Sequence, residues 1–90
     1  MKKKDHTYVN IGSRAKTILG EIVEAYLSCG TPISSKIISQ NLNSILSSST
    51  IRLIMSKLEE QGFLYSPHTS AGRVPTDRGL KLFVDGLLEL

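Results

Sequence analysis

The sequence predicts a mostly α-helical fold with a small β-hairpin: a three-helix core, a hairpin and a closing C-terminal helix. Three observations predict it. Apolar residues recur at three- and four-residue spacing in separate stretches. Hydroxyl residues stand before these stretches, with Gly30 and Gly62 after two of them. A short apolar run, Phe63–Tyr65, and a return partner, Arg73–Pro75, flank a loop punctuated by Pro67 and Gly72, as in a hairpin. Ninety residues leave room for one domain with a modest core.

Residues 1–12 show no periodicity and read as a flexible basic arm, with the folded domain expected over 13–90. Ser13 is a plausible cap for the first helix, in which Ala15, Ile18, Leu19, Ile22, Val23 and Tyr26 form one apolar face. Gly30 stops it, and Thr31-Pro32 prevents its resumption. Thr31 to Ile33 could form a very short strand. Ser34 or Ser35 caps a short second helix, with Ile37, Ile38 and Leu42 expected inward. Asn41, Asn43 and Ser44 favour a turn, which Ile45 and Leu46 would anchor in the core. Ser47 caps a third helix whose buried stripe is Ile51, Ile54, Met55 and Leu58, ended by Gly62. The short separation of the second and third helices is that of a helix-turn-helix. Thr76, reinforced by Asp77, caps a last helix with Leu80, Phe83, Val84, Leu87 and Leu88 on its apolar face.

Composition excludes several function classes. No apolar run reaches membrane-span length, and the basic N-terminus has no apolar stretch behind it, so a cytoplasmic protein is expected. Cys29 is the only cysteine, which rules out an internal disulfide and a thiolate zinc cluster. It reads as a small packed residue near a helix end. His6 and His68 have no metal-ligand spacing, and Glu59, Glu60, Asp77 and Asp85 read as surface or helix-terminal charges. No glycine-rich phosphate cradle or nucleophile–base arrangement is present, so neither an enzyme nor a cofactor is expected. The net charge is +3, and Lys2, Lys3, Lys4, Arg14 and Lys16 concentrate it before residue 17. The remainder is near neutral. Affinity for a polyanion would therefore depend on the placement of a few cations rather than on bulk charge.

The third helix carries those placements. With Ile51, Ile54, Met55 and Leu58 inward, a turn of about 100° per residue puts Ser49, Leu53, Ser56 and Glu60 outward, flanked by Arg52 and Lys57. Ser48, Ser49 and Thr50 place small hydroxyls at the helix start, where free N–H groups also favour a phosphate. Arg52 is long enough for a bidentate contact to guanine, Lys57 suits a phosphate, and Leu53 could touch a thymine methyl. Ser35 and Lys36, at the start of the second helix, could clamp a phosphate. In the loop, Arg73 with His68, Thr69 and Ser70 would meet the backbone or minor groove. These positions point to duplex DNA as partner. The alternative is a protein-interaction module that uses the same surface, favoured by the near-neutral body and the outward Leu53.

Four segments also resemble the HrcA family of heat-inducible transcription repressors. They are HTSAGRVPTDRG from His68 to Gly79, the G-x-P-[VI]-x-S pattern at Gly30–Ser35, L-S-x-x-T-I-R at Leu46–Arg52, and LEEQGFL at Leu58–Leu64. The resemblance covers roughly Ala15 to Leu90. It implies a winged helix-turn-helix with its wing at Pro67–Gly72. It also implies repression of chaperone operons through an inverted-repeat operator, a homodimer in a longer protein, loss of activity under heat stress and the chaperonin as regulator. The chain departs from the family pattern at Leu53 and Ile54, where Asn and Glu are usual, and at Ser48, where proline is frequent.

Overall fold

The computed structural model describes residues 12–68 and 71–88. Four helices and one hairpin follow in the order α1 (Ser13–Cys29), α2 (Ser35–Asn41), α3 (Ser48–Glu60), β1 (Leu64–Tyr65), β2 (Val74–Pro75) and α4 (Asp77–Leu88). Residues 1–11 of the expected basic arm lie outside the described residues.

The capping residues set the boundaries. Gly12 rather than Ser13 is the N-cap of α1; Ser13 is already helical, and its carbonyl accepts from the Thr17 hydroxyl. Ser34 caps α2 by accepting the Ile37 amide, and Ser47 caps α3 by accepting that of Thr50. The end of α3 is a Schellman motif. Gly62, at φ +84°, donates to the carbonyl of Glu59, and Phe63 donates to that of Leu58. The left-handed residue turns the chain so that Phe63 packs with Leu58 in the core, and both are buried. Thr76 accepts the Gly79 amide as cap of α4 and donates to the Gly62 carbonyl at 2.6 Å. The start of α4 is thereby fastened to the corner that ends α3.

The core gathers Ile18, Leu19, Ile22 and Val23 of α1, Ile38 of α2, and Ile51, Met55 and Leu58 of α3, closed by Ile33, Phe63 and Leu64. Three apolar expectations fail. Ile37 is exposed, because α2 is seven residues long and Ile38 takes its core-facing position. Ile45 is 79% exposed. Asn43 and Ser44 both adopt left-handed backbone, and the reversal they make swings Ile45 outward while Leu46 packs against the core. Val84 is exposed, whereas Leu82 packs inward. The reason is that Gly79 is buried against Phe63, which turns the contact arc of α4 toward Gly79, Phe83 and Leu82 and leaves Val84 on the far side. The side chains of Leu87 and Leu88 lie outside the described set.

Strands β1 and β2 pair antiparallel, Leu64 opposite Pro75 and Tyr65 opposite Val74. Arg73, expected to begin β2, pairs instead with Ile33 in a separate bridge through both of its backbone groups. The linker between α1 and α2 therefore acts as a third strand at the base of the hairpin. This is a winged helix-turn-helix: α2 and α3 pack side by side, and the hairpin flanks α3.

Candidate nucleic-acid interface

The outward side of α3 is as the periodicity predicts. Ser49, Arg52, Leu53, Lys57 and Glu60 are exposed; Ser48, Thr50 and Ser56 are half-buried. Leu53 is 67% exposed, a large apolar group in the middle of a polar row. The hydroxyls are partly committed within the helix. Thr50 Oγ1 accepts from Ser47 at 3.0 Å, and Ser56 donates to the Arg52 carbonyl at 3.1 Å. Arg52 and Lys57 make no ion pair among the described residues, so both cations are available to an external anion.

The N-terminus of α2 departs from expectation. Lys36 is exposed, but Ser35 is buried and cannot clamp a phosphate from the surface. Ser34 fills the cap position and Ser35 faces inward, a one-residue difference that sequence left open. In the wing, His68 is exposed, while Thr69 and Ser70 lie outside the described residues.

Arg73 is the largest departure. From sequence it is expected to meet the DNA backbone or minor groove from the loop, with His68, Thr69 and Ser70. Its side chain is only 15% exposed and sits against the last turn of α3, with Nε 3.0 Å from Glu59 Oε1. The N–H is not aligned on that oxygen, so the contact is an ion pair by charge and distance rather than a directed hydrogen bond. Nη1 donates to the Ala71 carbonyl at 2.9 Å. Glu59, read from sequence as a surface charge, is a hub: Ser66 Oγ donates to both of its oxygens, at 3.0 and 3.2 Å. Glu59 follows Arg52 by seven residues, almost two full turns, so both project from the same edge of α3, about 10 Å apart along its axis. The wing is anchored on that edge. Glu59 and Ser66 carried no local signal, because their partner is brought to them by the hairpin.

Elsewhere, Cys29 is exposed rather than packed, since α1 ends beyond the core there. A hydrogen bond with the Thr31 hydroxyl, 3.3 Å away, holds its thiol below the ordinary cysteine pKa. No helix among the described residues is long and apolar enough to cross a membrane, and no cluster of three or more potential metal ligands occurs among them.

Comparisons with known proteins agree with the winged-helix fold. A family model described as the ribonuclease R winged-helix domain matches residues 17–83. The heat-inducible transcription repressor HrcA of Gluconobacter oxydans is 52% identical over 79 residues, which are 88% of this chain and 22% of the relative. HrcA of Bartonella tribocorum is 46% identical over 91 residues, 99% of this chain and 26% of the relative. The chain thus spans about a quarter of the length of the curated relatives it matches. A crystal structure of a hypothetical protein at 2.2 Å resolution superposes with a TM-score of 0.84 at 41% identity, covering 89% of this chain and 25% of that one.

Proposed function

The chain belongs to the winged-helix family of that model and is similar along nearly its whole length to HrcA heat-inducible repressors, and from this premise we propose that it is the sequence-specific DNA-binding domain of a heat-shock transcription repressor. The observation that carries the proposal is Arg52 and Lys57, which make no ion pair among the described residues, on the exposed side of a capped helix with a wing at its edge. In this reading α3 enters the major groove. Ser49 and the amides at its start meet a phosphate, Arg52 reads a guanine, and Lys57 and Lys36 hold the backbone. His68, Thr69 and Ser70 at the wing tip approach the adjacent backbone or minor groove. The operator would be an inverted repeat before chaperone operons, bound by a homodimer of the longer protein in the cytoplasm, with the chaperonin as regulator. Two copies of α3 on one face of the duplex would stand one helical turn apart, which the symmetry of such a repeat matches.

Selection of bound duplexes from a random pool tests the reading, and recovery of a common half-site is the expected result. On that half-site, Arg52→Ala is expected to weaken binding by about 1–3 kcal/mol and to relax preference at one base pair. Binding by the variant with wild-type strength and preference would remove Arg52 from the interface.

Leu53 stands where the HrcA pattern usually has Asn, and an exposed aliphatic side chain cannot make the bidentate contact to adenine that an amide can. It fits a thymine methyl. Replacing each thymine of the selected half-site in turn by uracil removes only that methyl, so a loss at one position that disappears in Leu53→Ala is expected. The second reading, a protein-interaction module, is favoured by this same Leu53. It requires binding that is insensitive to salt, whereas duplex binding falls steeply as salt rises.

A further inference from the structure

We propose that Glu59, Ser66 and Arg73 form a clamp that fixes the wing against the recognition helix, and that Glu59 and Arg73 are positioning residues for DNA binding rather than DNA contacts. The inference rests on the reading of this surface as a DNA interface and deepens it.

The clamp joins three parts of the fold. Arg73 is held on its backbone by Ile33, donating to the Ile33 carbonyl at 2.8 Å and accepting the Ile33 amide at 2.9 Å. Its guanidinium reaches across to Glu59 in the last turn of α3 and turns back to the Ala71 carbonyl of its own loop. Ser66, directly after β1, supplies the other strand's tie to the same carboxylate. Both ends of the loop are therefore fastened to one side chain of α3. The hairpin itself has only two residue pairs, too few to set its own direction. Its base is further packed against the linker, where a Cβ at Gly72 would stand 2.8 Å from that of Pro32. With the base held in this way, the angle of the wing to α3 is set by the Glu59 carboxylate.

Charge separates positioning from contact. Glu59 is 36% exposed and lies on the same edge of α3 as Arg52, so its negative charge opposes a polyanion. If electrostatics alone mattered, removing it would strengthen DNA binding. If Glu59 aims the wing, removing it weakens binding. Arg73, with its guanidinium largely buried and already paired, has little charge to offer a phosphate.

The test uses Glu59→Gln, Arg73→Gln, their combination and Ser66→Ala, each titrated with the selected half-site duplex at several salt concentrations, below the melting transition of every variant. Glu59→Gln and Arg73→Gln are each expected to lose about tenfold in affinity, with the double variant losing little more than either, because each single change already breaks the one contact they share. The slope of log affinity against log salt is expected to stay that of the wild type. Amide exchange at Ile33 and Arg73 in the free protein is expected to speed up in all four. Ser66→Ala removes no charge and keeps the test sound should a charge variant fail to fold. Tighter or unchanged binding by Glu59→Gln would overturn the clamp. So would a slope that falls by about 0.9 in Arg73→Gln, the mark of one lost phosphate contact. Should the wild type bind no duplex, the DNA reading fails on its own, and unchanged exchange at Ile33 and Arg73 would then overturn the clamp independently.

Discussion

Replacing Phe63 by alanine is expected to destabilise the domain by about 3–5 kcal/mol, the range for truncating a buried aromatic. Phe63 is 1% exposed and stands at the corner where α3, β1 and α4 meet. Its amide closes the end of α3, its carbonyl accepts from Thr76 at 3.1 Å, and its ring lies under the guanidinium of Arg78, 4.8 Å from the ring centroid. Alanine keeps the backbone bonds but leaves a cavity between α3, β1 and α4. A domain of this size has a total stability on the order of 5–13 kcal/mol, so the loss removes a large share of it. Urea denaturation checks the expectation: the midpoint should fall with little change in slope. Phe63→Leu isolates the ring from the volume. It refills most of the space and should cost less than about 1.5 kcal/mol, to which the lost cation–π contact of the exposed Arg78 adds about 0.5–1 kcal/mol. If alanine and leucine proved equally mild, the corner would not depend on this side chain.

The helices were legible because their signals are local. The caps Ser47 and Thr76 each lie within three residues of the amide they satisfy, and Gly62 adjoins the turn it permits. The spacing of Ile18, Leu19, Ile22 and Val23 identifies the buried side of α1 without reference to the rest of the chain. Failures cluster where a distant contact decides. The segment around Ile45 signals a turn, but not that two successive left-handed residues will swing Ile45 outward while Leu46 packs. Val84 and Leu82 are equally apolar, and only the approach of Gly79 to Phe63 selects between them. The candidate interface divides in the same way. The exposed row on α3 follows from helical periodicity, so Ser49, Arg52, Leu53 and Lys57 could be read directly. The burial of Arg73 could not, because a lone cation in a loop looks free to meet DNA until Glu59, fourteen residues earlier, is folded beside it. That burial and the pairing with Glu59 withdraw from solvent the one charge that sequence singled out there.

Gly79→Ala is a sharper test of the fold, because local propensity and packing predict opposite signs. Gly79 lies in the first turn of α4, and alanine in a helix is favoured over glycine by about 1 kcal/mol. On propensity alone the substitution stabilises. A Cβ at this position, however, would overlap the carbonyl oxygen of Phe63 and stand 3.1 Å from its carbon. These are backbone atoms and cannot rotate aside. The Phe63 carbonyl is also held by the Thr76 amide, and the Gly79 amide by the Thr76 hydroxyl, so the first turn of α4 cannot slide without breaking its own cap. Alanine must lift the helix from the corner, loosening Phe83 where it packs on Gly20. The overpacking outweighs the propensity, and a net loss of about 3 kcal/mol is expected. In a domain of this length that lowers the melting temperature by roughly 12–24 °C. Gly86→Ala is the control: it lies in the same helix with open space around its Cβ position, and it should be neutral or raise the melting temperature. An alanine at residue 79 that behaved like one at residue 86 would mean that α4 does not sit directly on the Phe63 backbone.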